Sequence, residues 1–183
     1  MMKWLIRNRL NAFERKYGYD VTYMRELLDT DIGAFMAFAR ATKLGNYCRD
    51  VPSDVRWAAR LVSIVSEDCG PCTQLSVALA LADGVDAAAI SAVLADDRAR
   101  MSAEVKLGVE FARATIAHAP EADELREGVT RRWGKRAVIS LAFAILASRL
   151  YPTLKYALGH GKACQRVVVA GQPVLVARSA EAA

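Results

Sequence analysis

The sequence predicts an all-α fold with a small β-hairpin at its C-terminal end. Apolar residues recur at helical spacing from residue 3 into the 150s, and glycine, proline and short polar residues interrupt them where helices would start or stop. Runs of β-branched residues gather only in the tail, on either side of Ala170-Gly171-Gln172-Pro173.

With 183 residues, 54% of them hydrophobic, the chain can bury one full core without disulfide staples. Four cysteines in that length do not make a disulfide scaffold. The expected organisation is a single domain over residues 1–183: an amphipathic N-terminal helix (1–19), a helical core (20–165) and a tail (166–183). No internal repeat at a fixed period and no low-complexity linker divides it. Residues 1–7 are basic but lack an apolar core followed by a small-residue cleavage site, so no secretory leader is expected there. The longest apolar run, 137–147, is too short to span a bilayer, and a reducing cytoplasm is the default expectation. The net charge of +5 is spread along the chain. Only residues 131–136 form a dense basic cluster, which reads as a solvated helix end, and no nucleic-acid partner is expected.

Residues 3–16 place Trp4, Leu10 and Phe13 at helical spacing among Arg and Lys, with Gly18 as a stop. Residues 20–43 form one or two helices, with Thr30-Asp31 as a start signal for the second. A loop over 44–52 holds the lone Cys48, read as structural, and Ser53 or Asp54 is expected to cap the helix that follows. Asp86 opens a short helix over 87–94, and a further helix covers 102–118 with His118 in its last turn and Pro120 beyond. A polar helix is expected over 121–129. A largely apolar one follows over 135–151, central enough to be buried by the domain or by another subunit, and Pro152 stops or kinks it. A continuation from Leu154 ends at Gly159 or Gly161. It puts His160 and Cys164 on one side of a turn, a pair read as a capping histidine and a bystander thiol. The last residues, 179–183, are expected to fray.

The chemistry concentrates in Glu67-Asp68-Cys69-Gly70-Pro71-Cys72-Thr73-Gln74-Leu75-Ser76. Apolar helical segments lie on both sides, so the cysteines sit at a helix start, where partial positive charge and free N–H groups favour a thiolate. Pro71 suits the first helical turn. Two cysteines three apart can close a small disulfide ring, so the spacing is a redox signal first. Zinc would want four ligands, and only His118 and His160, both distant in sequence, supplement the cysteines; no metal and no cofactor is expected. The other reading is a pair of inert core cysteines. Cys-Gly-Pro-Cys also occurs in thioredoxin, but that fold alternates strands with helices, whereas alanine-rich helical periodicity flanks the motif here.

The order of helices, the Glu-Asp-Cys-Gly-Pro-Cys stretch opening a helix that ends in Ala80-x-x-x-Gly84-Val85, and the later Gly108-Val-Glu-Phe-Ala-Arg113 segment together resemble the carboxymuconolactone decarboxylase and alkyl hydroperoxidase D superfamily over residues 20–165. The resemblance implies an all-α domain that forms homo-oligomers, with the cysteine pair near a subunit interface. It also implies that Cys72 attacks a peroxide and Cys69 resolves the product, with electrons from a thiol reductant. Two departures bear on this. Ser76 stands where the peroxidase pattern has a histidine, and Trp57 where it has a glutamate. Glu67, two residues before Cys69, is a candidate replacement for the lost proton relay, and its alternative is a solvated helix end. The site residues are therefore Cys69, Cys72, Glu67 and Ser76. The expected activity is peroxide reduction or thiol-disulfide exchange on a small peroxide or disulfide. The alternatives are a lyase acting on a small organic acid and a non-enzymatic redox-sensing oligomer.

Overall fold

The computed structural model describes residues 1–161 and 167–177. The helices are α1 (Met2–Tyr17), α2 (Thr22–Thr30), α3 (Ile32–Ala41), α4 (Ser53–Val65), α5 (Gly70–Ala82), α6 (Ala87–Leu94), α7 (Ala103–Ala117), α8 (Ala122–Trp133) and α9 (Lys135–Ala157). The strands β1 (Val167–Val169) and β2 (Gln172–Val174) follow, and 3-10 turns lie at Thr42–Asn46 and Arg98–Arg100. The class is all-α with a C-terminal hairpin, as the periodicity predicts.

Several boundaries follow from local chemistry. Gly18 closes α1 in a left-handed conformation, φ 60°, and its N–H reaches the Glu14 carbonyl. Asp31 caps α3 by accepting from the Gly33 N–H at 2.6 Å. Asp86 takes the Ala88 and Ala89 N–H groups at the start of α6, and the Ser102 hydroxyl takes that of Val105 in α7.

Three expectations are corrected. Neither Ser53 nor Asp54 caps α4, whose N-cap is Pro52. The Ser53 hydroxyl donates instead to Asp83 at 2.9 Å, beside the Trp57 indole N–H, which donates to the same oxygen at 2.8 Å. These bonds, Trp57's first, hold the Asp83 carboxyl below the usual carboxylate range. His118 lies one residue past α7, at φ 53°, where the Ala119 N–H returns to the Ala114 carbonyl and closes the helix through its backbone. Pro152 does not stop α9, which runs on to Ala157. Proline removes one backbone bond there. Packing of Tyr151, Leu154 and Leu158 on the apolar cluster around Tyr19 and Tyr23 holds the last turns in place.

The described residues form two apolar clusters, and α4 serves both. Trp57, Leu61 and Val55 join Ile90, Leu94, Val109, Phe111, Val129, Leu141 and Val167 in the larger one. Ile64, one turn past Arg60 on α4, joins Tyr19, Val21, Tyr23, Met24, Leu28, Phe35, Cys69 and Cys72 in the other. The helix pairs α4 with α7 and α4 with α9 carry the tightest packing. Along α9, Ala137, Leu141, Ala144 and Ile145 are buried, while Ile139 and Leu146 are exposed. Among the described residues α9 alone is long and apolar enough to cross a membrane by length and composition. Its inward face packs on α4 and α8 as a core helix does.

The hairpin turns at Ala170 and Gly171, both at positive φ (47° and 82°), which matches the twist of a two-residue connection. It docks on α5 through one side chain. The Gln74 amide donates to the Val168 carbonyl at 2.9 Å and accepts the Val168 N–H at 2.8 Å, standing in for a third strand. Val167 and Val169 point into the core beneath it.

Candidate functional site

Helix α4 ends at Val65, and the chain turns through residues 66–68, with Asp68 at φ 47°, before α5 begins. Cys69 is the N-cap of α5 in an extended conformation, Pro71 lies in its first turn, and the Cys69 carbonyl accepts from both the Thr73 N–H and the Thr73 hydroxyl, at 2.9 and 3.0 Å. Cys69 and Cys72 are joined as a disulfide with their Cα atoms 5.3 Å apart. The first turn of α5 thus carries the pair, with the positive end of the helix beside the sulfurs.

Both cysteines are buried, Cys69 completely and Cys72 at 4% exposure. They differ in what they face. Cys72 lines a cavity of about 290 Å³ and Cys69 does not. One face of α5 supplies Cys72, Leu75, Ser76 and Leu79 to that cavity. Helix α4 contributes Arg60 and Ile64, and α9 contributes Ser148, Tyr151 and Pro152. Leu10 and Phe13 of α1, with Tyr19, Val21, Tyr23 and Met24, form another side, and Thr42, Gly45 and Asn46 of the first 3-10 turn also line it. No residue of α1 is itself fully buried, so this side of the cavity is covered by the most lightly packed helix.

The Tyr19 hydroxyl lies 3.5 Å from Cys72 Sγ and 3.3 Å from the Tyr23 hydroxyl. Burial raises the Tyr19 phenol to about 12, with the Tyr23 bond pulling partly back, and burial raises Tyr23 as well. Both phenols are therefore neutral near pH 7, and Tyr19 can donate to a sulfur anion. Lys155, 2% exposed on α9, sets its ammonium 4.8 Å from the Tyr19 ring centre and 5.2 Å from that of Tyr23. The charge environment of the phenol pair includes Asp20 and Tyr151 besides this cation.

Of the residues singled out from the sequence, Cys69, Cys72 and Ser76 come together, and Ser76 lines the cavity with Cys72 as the four-residue spacing predicts. Glu67 does not line it. Its carboxylate pairs with Arg149 on α9 and accepts from the Thr153 hydroxyl at 3.4 Å. Trp57 lies in the larger cluster, its indole committed to Asp83. Cys48 is an exposed free thiol. His160 is hydrogen-bonded to Glu26 at 2.7 Å, and its suggested neighbour Cys164 lies outside the described residues. Among the described residues no three His, Cys, Asp or Glu side chains gather to hold a metal ion.

Tyr19, Tyr23, Arg60, Ser148 and Lys155 are site residues that sequence reasoning missed. Tyr19 and Cys72 are 53 positions apart and share no local pattern, so only the tertiary packing joins them.

No family model matches the chain, and no curated protein or solved structure matches it.

Proposed function

We propose that the chain is a thiol-disulfide oxidoreductase of the alkyl hydroperoxidase D-like kind, exchanging electrons with small molecules through Cys69 and Cys72. The observation that carries this reading is the disulfide in the first turn of α5 with Cys72, rather than Cys69, against a cavity that also holds the Tyr19 hydroxyl. A thiolate of a small dithiol donor attacks Cys72 Sγ. The S–S bond breaks, and Cys69 leaves with the bonding electrons and takes up a proton. The donor's second thiol then attacks the mixed disulfide and releases Cys72 as a thiolate, which the helix end and the Tyr19 phenol stabilise. The donor is oxidised by two electrons and the protein disulfide is reduced by two. A small disulfide discharges the dithiol by the reverse steps.

Peroxide is the weaker acceptor in this proposal. Reducing it needs a proton delivered to the departing alkoxide, and the Ser76 hydroxyl, which does not ionise near pH 7, is too weak an acid to deliver one. Glu67, tied to Arg149 and off the cavity, leaves that relay open. Reduced protein should therefore react faster with a small linear disulfide than with an alkyl hydroperoxide. Ser76→His should raise the peroxide rate by about tenfold, part of the roughly 10²-fold that general acid-base catalysis supplies. Stopped-flow rates and the pH dependence of Cys72 alkylation check both statements. An unchanged pH profile in folded Ser76→His removes position 76 from the site.

The same proposal includes a homo-oligomer. Ile139 and Leu146 on α9 and Met2, Trp4 and Leu5 on α1 are apolar and exposed, and a second copy of the chain would cover them. Light scattering that reads a monomer at micromolar concentration would refute this part of it.

A further inference from the structure

Two polar groups in the Cys72 cavity have no use in thiol exchange. Arg60 of α4 and Ser148 of α9 both line it, and Arg60 Nε and Ser148 Oγ are buried without a hydrogen-bond partner. Ser148 is only 2% exposed. The Arg60 guanidinium stacks on the Trp57 indole, with Cζ 4.4 Å from the ring centre, which holds its plane but satisfies none of its in-plane donors. Asp83, a carboxylate whose charge acts on Arg60, is hydrogen-bonded to Arg56, Ser53 and Trp57 instead. None of the described residues lining the cavity is acidic. Burial, and then the neighbouring charge of Arg56, lower Arg60 to about 10, which leaves it cationic at neutral pH and short of a counter-ion.

A half-buried cation whose buried Nε has no partner and a buried hydroxyl without one, both lining one cavity, are what a single carboxylate would satisfy. The guanidinium offers parallel N–H donors to its two oxygens, and the hydroxyl donates a third bond. The rest of the wall is largely apolar, with Leu10, Phe13, Met24 and Leu75 prominent. At about 290 Å³ the space falls at the small end for ligand pockets.

We infer that the cavity beside Cys72 binds a small aliphatic carboxylate, its head on Arg60 and Ser148 and its chain against Leu10, Phe13, Met24 and Leu75. As a statement about substrate class, namely disulfides or hydroperoxides that carry a carboxylate, this rests on the redox reading above. As a statement about binding it does not, because neither Arg60 nor Ser148 takes part in electron transfer.

The test is calorimetric titration of the full chain with octanoate and, separately, with octanol. Octanoate should bind saturably and at least about tenfold tighter than octanol, the scale of one charge-assisted, bidentate contact. Arg60→Gln should weaken octanoate by about tenfold or more and leave octanol unmoved, and Ser148→Ala should weaken octanoate severalfold. Equal affinity for octanoate and octanol, no binding of octanoate, or full affinity in folded Arg60→Gln would overturn the inference. If Arg60→Gln does not fold, the comparison of the two ligands on the native chain still decides. Octanoate binding by a protein that exchanges no disulfide would remove the redox reading and leave this site standing.

Discussion

Replacing Cys72 with serine is expected to lower the rate of disulfide exchange by about 10³-fold or more, the scale on which loss of a nucleophile acts. The expectation follows from the asymmetry of the pair, since Cys72 is the sulfur that lines the cavity and lies 3.5 Å from the Tyr19 hydroxyl. Cys69→Ser should also lose turnover but fail at a different step. Its Cys72 can still attack a small disulfide, but no neighbour remains to resolve the adduct, so the mixed disulfide accumulates. Intact-protein mass spectrometry distinguishes the two variants, with an adduct on Cys69→Ser and none on Cys72→Ser. An adduct on Cys72→Ser instead, carried by Cys69, would reverse the assigned roles.

A second large effect is expected at Gly108, in the interior of α7 where it crosses α4. A Cβ added there would meet Val55 Cγ1 at 2.7 Å and the Val55 carbonyl at 3.2 Å. Val55 is fully buried, and as a β-branched residue in a helix it has little rotamer freedom with which to withdraw. Gly108→Val should therefore cost about 3 kcal/mol, at the upper end for overpacking a core, since valine gains little of the helix propensity that would offset it. For a chain of this size that is a fall in Tm of roughly 6–12 °C. Gly128→Ala serves as the contrast. Its Cβ, in α8, meets the end of the Leu107 side chain at 3.3 Å and the tip of the Arg131 side chain at 4.0 Å. That variant should gain up to about 1 kcal/mol from helix propensity. Calorimetric melts of the two variants should move in opposite directions. A Gly108→Val protein that melts with the native one would contradict the α4–α7 packing.

The backbone was largely legible because its punctuation is local. Gly18, Asp31, Asp86 and Ser102 each end or begin a helix through a bond to a backbone group two to four residues away, and such bonds can be anticipated from residue type and position. The hairpin was legible for the same reason. The Ser53 cap was misread, and α9 runs past Pro152, because a longer-range partner decides each: Asp83 draws the Ser53 hydroxyl away from the cap, and packing of Tyr151 and Leu154 carries α9 past its proline.

The site divides along the same line. Cys69, Cys72 and Ser76 share one helix, and their spacing alone brings them to one end of it. Glu67 is closer to Cys69 in sequence than Ser76 is, yet the turn at Asp68 separates it from α5, and Arg149, 82 positions away, takes its carboxylate. Arg60 was not singled out from the sequence. Its contact with Trp57, three residues back on α4, is local, but its partial burial and its unpartnered Nε follow only once α1, α5 and α9 are packed around it.

The most direct measurement of the central claim is a redox titration of the native protein in dithiothreitol buffers of stepped potential, with alkylation of free thiols and peptide mass spectrometry at each step. The account predicts that Cys69 and Cys72 gain and lose label together, reversibly and with the fold intact, while the exposed Cys48 is labelled at every potential. A pair that stays oxidised until the protein unfolds, or that remains as two thiols under mild oxidation, would contradict it.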